Sequence, residues 1–228
     1  MGTRWGCDCG RAIPDMGEAK RHQNRRDFSK CAYCGQPATS RDHVPPKCIF
    51  PENRHNLITV PACENHNQSK SNLDELLMQF VGIFAAQIEP LNSLLWNRAW
   101  TSLDRGQRGD LVRSRIVHDA RSKLTAIPME AEPFMGSTKL VVRGLYWHHT
   151  GNCLDLNTPV STSMWKSDAQ LPLLHLMKVQ SVAGGQFVYA FGIAEDDAKA
   201  SIWYIQFQKN ILVGAYTGSL ADHSDHQT

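Results

Sequence analysis

The stretch CAYCGQPATSRDHVPPKCIFPENRHNLITVPACENHNQSK, Cys31 to Lys70, decides how this chain is read. It opens with Cys31-x-x-Cys34 and closes with Cys63-x-x-His66, followed at once by Asn67. Two such pairs can supply four donors to one tetrahedral ion, and a long insertion between pairs is common in structural zinc sites. Four protein ligands leave no position for water, so the expected role is structural. Pro37, Pro45, Pro46, Pro51 and Pro61 forbid long helices across residues 31–73. So short a segment is expected to be held by metal rather than by a core of its own.

The rest of the chain sets the context. With 228 residues, 42% hydrophobic and 20% charged, the chain has the composition of a globular protein able to bury a core. No apolar run of about 18 residues is present, and the polar N-terminus lacks the apolar centre of a signal peptide. The expected location is cytoplasmic, where spaced cysteines read as metal ligands rather than disulfides. The net charge of +2 is unevenly placed. Residues 1–70 hold 11 Lys/Arg against 7 Asp/Glu, whereas residues 71–228 hold 13 against 15. The excess of positive charge accompanies the cysteines, as expected of a segment that approaches phosphates.

Between the two Cys/His pairs lie Asp42-His43 and Asn56-Leu57, and after them Asn67-x-x-Lys70. This combination, about 45 residues long, resembles the HNH (ββα-metal, His-Me finger) endonuclease superfamily in an H-N-N variant with a Cys3His structural zinc site. The resemblance implies two strands and a helix around one divalent ion, with phosphodiester hydrolysis as the reaction. Carried over to this sequence, it makes His43 the general base and Asn56 the residue that fixes the loop orienting it. Asp42 and Asn67 would hold the catalytic ion. His66 stands where a fourth cysteine is usual, and zinc accepts Cys3His. Asn67 replaces the usual final histidine.

The chemistry of the residues agrees. An imidazole with an ordinary pKa near 6.5 suits water activation at neutral pH. A hard ion such as Mg²⁺ prefers oxygen donors, here the Asp42 carboxylate and the Asn67 amide, and keeps positions for phosphate. Arg41, Lys47 and Lys70 are candidate phosphate contacts, with Lys70 one helical turn after Asn67. The expected partner is nucleic acid, DNA ahead of RNA. A homodimer is an option, since one site cuts one strand. A zinc-stapled nucleic-acid-binding or adaptor protein without cleavage, or an RNA-cleaving nuclease, are the alternatives.

The expected fold class is α+β: a zinc-stapled ββα-metal module, then helices, then a largely antiparallel sheet. The expected divisions are a polar basic leader over 1–30, the nuclease module over 31–73, an α+β domain over 74–220 and a tail over 221–228. Helices are expected from Asp74 to Pro90, over LNSLLWNRAWTSL and over GDLVRSRIVHDARSKL. Strands are expected at KLVVRGLYWH, LPLLHLMKVQ, QFVYAFGIA, ASIWYIQFQ and ILVGAYT, with turns at Gly184-Gly185 and Lys209-Asn210. Cys7-x-Cys9 is a poor grip for a tetrahedral ion. Cys48 is expected to be buried, Trp96, Trp100 and Trp147 to be core, and His55 to be a spare imidazole. His148 and His149 are expected on opposite faces of a strand.

Overall fold

The computed structural model describes residues 27–86, 93–105, 117–119, 124–126, 131–165 and 169–222. Cys7, Cys9 and His22 of the leader, like His223 and His226 of the tail, lie outside them. The fold is α+β. Strand β1 (Ser40–Val44) pairs antiparallel with β2 (Ile58–Ala62), and helix α1 (Glu64–Ala86) follows directly. Helix α2 (Ser93–Arg105) packs back on α1. Two short strands, β3 (Val117–Asp119) and β4 (Leu124–Ala126), pair with one another. Helix α3 (Ala131–Thr150) leads into a five-stranded antiparallel sheet of β5 (Val160–Trp165), β6 (Lys178–Val182), β7 (Phe187–Ile193), β8 (Ser201–Phe207) and β9 (Ile211–Thr217). Its order is β5-β9-β8-β7-β6, and the short helix α4 (Ser219–Asp222) closes the described chain.

Three segments differ from the sequence expectation. LPLLHLMKVQ is a strand only from Lys178, where β6 begins; the left-handed Leu173 (φ 58°) breaks the extended run, and Leu174–Leu176 form a 3-10 turn. KLVVRGLYWH is the C-terminal half of α3, not a strand. From Phe134 to Trp147 the helix buries Val141, Val142, Leu145, Tyr146 and Trp147, so β-branched and aromatic residues occupy nearly every face. Wedged between α1, the β1–β2 hairpin and β5, it has no broad polar face to give a helical period. Burial of this kind overrides strand propensity. The helix expected over GDLVRSRIVHDARSKL is replaced at 117–119 and 124–126 by the β3–β4 pair; its other residues lie outside the described ones. Strand β5, with three hydroxyl residues in VSTSMW, had no alternating apolar signature.

The ββα unit is not a separate body. Helix α1 runs through the boundary expected at 73/74. Val44, Ile49, Phe50, Ile58 and Val60 share one buried cluster with Leu77, Val141, Trp147, Phe187 and Trp203. Phe134 stacks on Phe80 at 4.1 Å and meets Phe207 edge-on at 6.1 Å, joining α1, α3 and the sheet. A Cβ on Gly144 of α3 would sit 2.6 Å from Val44 Cγ2, so only glycine admits β1 so close to the helix. The buried Arg143 guanidinium donates to the carbonyls of Leu154, Asp155, Leu156 and Thr158, fixing the turn between α3 and β5.

The sheet also grips the loop between β1 and β2. Gln208 Nε2 donates to Ile49 O at 3.0 Å, and Gln186 Nε2 donates to Glu52 O at 3.3 Å. The turns β8–β9 and β6–β7 therefore hold the loop that carries Asn56. Ordering a loop costs roughly 1–2 kcal/mol per residue, and bonds from outside the loop offset part of that.

Candidate functional site

The Cys/His cluster forms as the spacing implied. Cys31 and Cys34 lie in a tight turn before β1, in which Gly35 N donates to Cys31 O at 2.9 Å and Cys31 N donates to Gln36 O at 2.7 Å. Cys63 lies between β2 and α1, and His66 lies in the first turn of α1. Their ligand atoms all lie within 4.8 Å of one another. Cys34 Sγ is 3.8 Å from Cys63 Sγ, and His66 Nδ1 is 3.3 Å from Cys63 Sγ and 3.9 Å from Cys31 Sγ. With Zn–S near 2.3 Å, sulfurs at the corners of a tetrahedron are about 3.8 Å apart. The donor set and its spacing thus match structural zinc, and the group can hold a metal ion. Burial pushes Cys34 up to about 11. For Cys63 the burial effect is outweighed by hydrogen bonds from the His66 backbone and ring and from the other two thiols, which bring it down to about 6.

Tyr33, inside the first pair, connects this cluster to the next group. Its ring stacks on His66 with centroids 5.5 Å apart, and its hydroxyl donates to Asp42 Oδ2 at 2.5 Å. Burial, then the Asp42 charge, holds the phenol proton well above its ordinary pKa. Lys70 Nζ donates to the same oxygen at 2.7 Å, and to His43 O at 3.3 Å. Lys70 is thus a buried partner of Asp42, with 3% of its side chain exposed, and not a surface contact for phosphate. One turn further along α1, Asp74 Oδ1 lies 3.4 Å from Lys70 Nζ, buried but without a hydrogen-bond geometry to any donor. Burial raises its carboxyl to about 6, opposed by the Lys70 charge.

Asp42 and His43 line one cavity of about 430 Å³ together with Lys47, Cys48, Ser71 and Asp74. His43 is half-buried. Desolvation, then the Lys47 charge, lowers its pKa below the usual 6.5, so the ring is neutral at neutral pH. Lys47 is exposed at the cavity rim, and the half-buried Cys48 Sγ donates to Asp74 O at 3.4 Å. Burial pushes the Cys48 thiol up to about 12.

Other expected residues lie elsewhere. Asn67 is exposed in the first turns of α1 and is not among the residues lining this cavity; it sits one turn before Ser71, which is. Asn56 is exposed in a left-handed conformation with φ of 57°, and among the described residues its side chain makes no hydrogen bond to His43. With Arg41, whose guanidinium lies 5.1 Å over the Phe28 ring, it lines a separate cavity shared with His148 and Tyr189. His148 and His149 end α3 rather than a strand, and the His149 ring stacks on Phe191 at 4.0 Å. Trp147 is buried, Trp96 and Trp100 are half-buried and stacked on one another, and His55 is exposed.

Sequence reasoning missed Tyr33, Ser71 and Asp74. For Ser71 and Asp74 the signal was helical spacing: the turn that links Asn67 to Lys70 continues to positions 71 and 74 on the same face, since one helix runs from Glu64 to Ala86. Among the described residues, no helix is long and apolar enough to cross a membrane. No family model, curated protein or solved structure matches the chain.

Proposed function

We propose that this chain is a metal-dependent endonuclease of the HNH, ββα-metal type that hydrolyses phosphodiester bonds in DNA. The observation that supports it best is the shared cavity of Asp42, His43 and Asp74 on a hairpin–helix unit stapled by a Cys3His cluster. His43, neutral at pH 7, takes the proton from the attacking water. Asp42 and Asp74, which face the same cavity, would hold a divalent ion such as Mg²⁺; Asn67, expected as a ligand, lies outside that lining, one turn before Ser71. The donor set fits a hard ion. When bound there, such an ion would supply neutralisation of charge on the phosphate and the leaving oxygen. Both hydrogen bonds to Asp42 fall on Oδ2, so Tyr33 and Lys70 fix the orientation of the carboxylate and leave Oδ1 outside those bonds.

The Lys70–Asp42 pair also supports a second reading. An ammonium at 2.7 Å already neutralises the carboxylate, which gives Asp42 a structural role in a nucleic-acid-binding or adaptor protein without cleavage. Incubation of supercoiled plasmid with Mg²⁺ or Mn²⁺, for wild type and His43→Ala, separates the two. Nicking or linearisation that needs the ion and is lost in the variant supports the nuclease. A zinc-loaded, folded wild type that leaves both plasmid and structured RNA intact supports the binding protein.

A further inference from the structure

The cavity at His43 does not end there. Cys48, Glu75, Met78 and Ser102 line it and also line a neighbouring cavity of about 670 Å³ between α1 and α2. Cavities with a common wall make one groove. Its far end is formed by α2, which turns Leu95, Ala99 and Leu103 inward and Arg98, Thr101 and Arg105 towards the groove. Arg98 and Arg105 are exposed and two helical turns apart, about 10 Å along the axis.

Helix α2 is placed by close packing. A Cβ on Gly82 of α1 would fall 2.6 Å from Ala99 Cβ and 2.9 Å from Leu95 O, so the helices touch through the glycine. Between them, Gln79 Nε2 donates to Ser102 Oγ at 2.8 Å, and that hydroxyl donates to Glu75. Among the described residues, Glu75 is the one carboxylate lining the α2 end, and it is engaged by this bond. Charge therefore changes sign along the groove: carboxylates near His43, guanidinium groups at α2.

We infer that α2 is a track for the DNA backbone, with Arg98 and Arg105 each holding a phosphate and leading the strand towards His43. Phosphates along one strand of a duplex advance about 3.4 Å per step, so the two arginines span roughly three steps. Guanidinium groups suit this task because their planar fork matches two phosphate oxygens. The inference rests on the nuclease reading only for what waits at the other end of the groove.

The experiment is fluorescence anisotropy with a labelled 20-bp DNA duplex, the full-length zinc-loaded protein and no added divalent ion, over a series of salt concentrations. Removing two phosphate contacts should flatten the slope of log K against log salt by about 1.8, which is roughly 60-fold in affinity at 0.1 M salt. Arg98→Ala/Arg105→Ala is expected to show that loss, and Arg98→Lys/Arg105→Lys to recover most of the slope. An unchanged slope in the alanine variant, no binding by wild type, or binding of an RNA duplex but not of DNA overturns the track. Plasmid cleavage by the same wild-type protein keeps the two ideas apart. Cleavage with an unchanged slope sinks the track alone, and a flattened slope without cleavage sinks the nuclease alone.

Discussion

Lys70 Nζ stands between two carboxylates, 2.7 Å from Asp42 Oδ2 and 3.4 Å from Asp74 Oδ1, with its own side chain almost wholly buried. One ammonium thus ties strand β1 to helix α1 and, through its bond to His43 O, fixes the backbone at the candidate base. Pairs of this kind are costly to break because the remaining charge is left desolvated.

Lys70→Met keeps the volume of the stem and removes the charge. Asp42 then lies buried beside Tyr33 with no cation, and Asp74 loses its counterion. Stability at pH 7.5 should fall by about 3–5 kcal/mol. Denaturant unfolding of the zinc-loaded protein measures it, and a loss below about 1 kcal/mol would mean the pair is not an energetic centre.

Asp74 gives a pH dependence of opposite sense to an ordinary paired carboxylate. Its folded pKa is raised from 3.8 to about 6, so the folded state binds more protons than the unfolded one between those values. Stability therefore falls as pH rises from about 4 to about 6, and the penalty is fully present above that. Asp74→Asn removes it. Without added divalent ions the variant should be more stable than wild type by about 1–2 kcal/mol at pH 7.5, after allowance for partial exposure. The gain should vanish near pH 4. A variant less stable at pH 7.5 contradicts the sign.

The Cys/His cluster predicts metal-coupled folding. Structural zinc in small modules contributes on the order of 10 kcal/mol, and here Cys31 is completely buried. Cys31→Ser should lose zinc, measured by atomic emission, and should melt well below wild type. Retention of one equivalent of zinc with unchanged melting would remove Cys31 from the cluster.

Gly144 offers a way to disturb the site from behind. Gly144→Ala pushes a methyl against Val44, a β-branched side chain with little freedom, directly after His43. The overpacking should cost about 1–3 kcal/mol. Zinc content should be unchanged, because the cluster lies at the other end of the hairpin. If thermal unfolding does not move, the contact is softer than its geometry.

What could be read from the sequence follows from how local each signal is. The cluster was legible because its four ligands sit in two short spacers. Strands β7, β8 and β9 were legible from alternation, and their turns from Gly184, Gly185 and Lys209, all at positive φ. Helix α3 was misread because a helix buried on nearly all sides carries no helical period. The Asp42–Lys70–Asp74 arrangement was hidden because Lys70, though read on a helix with Asn67, pairs with Asp42 across 28 residues of sequence, which no local signal announces. Tyr33 was passed over as a spacer between cysteines, though it joins the cluster to Asp42.

The continuous core has a consequence for transplantation. A fragment ending after α1 would retain the four Cys/His ligands and the Asp42–Lys70 pair. It would also strip α3 from Val44, and the sheet turns from Ile49 and Glu52. The apolar back of the hairpin would face water, and the loop that bears Asn56 would lose its outside anchors. The smallest autonomous unit of this protein is therefore expected to extend through β9, and a fusion partner should be joined beyond the described termini, not at residue 73.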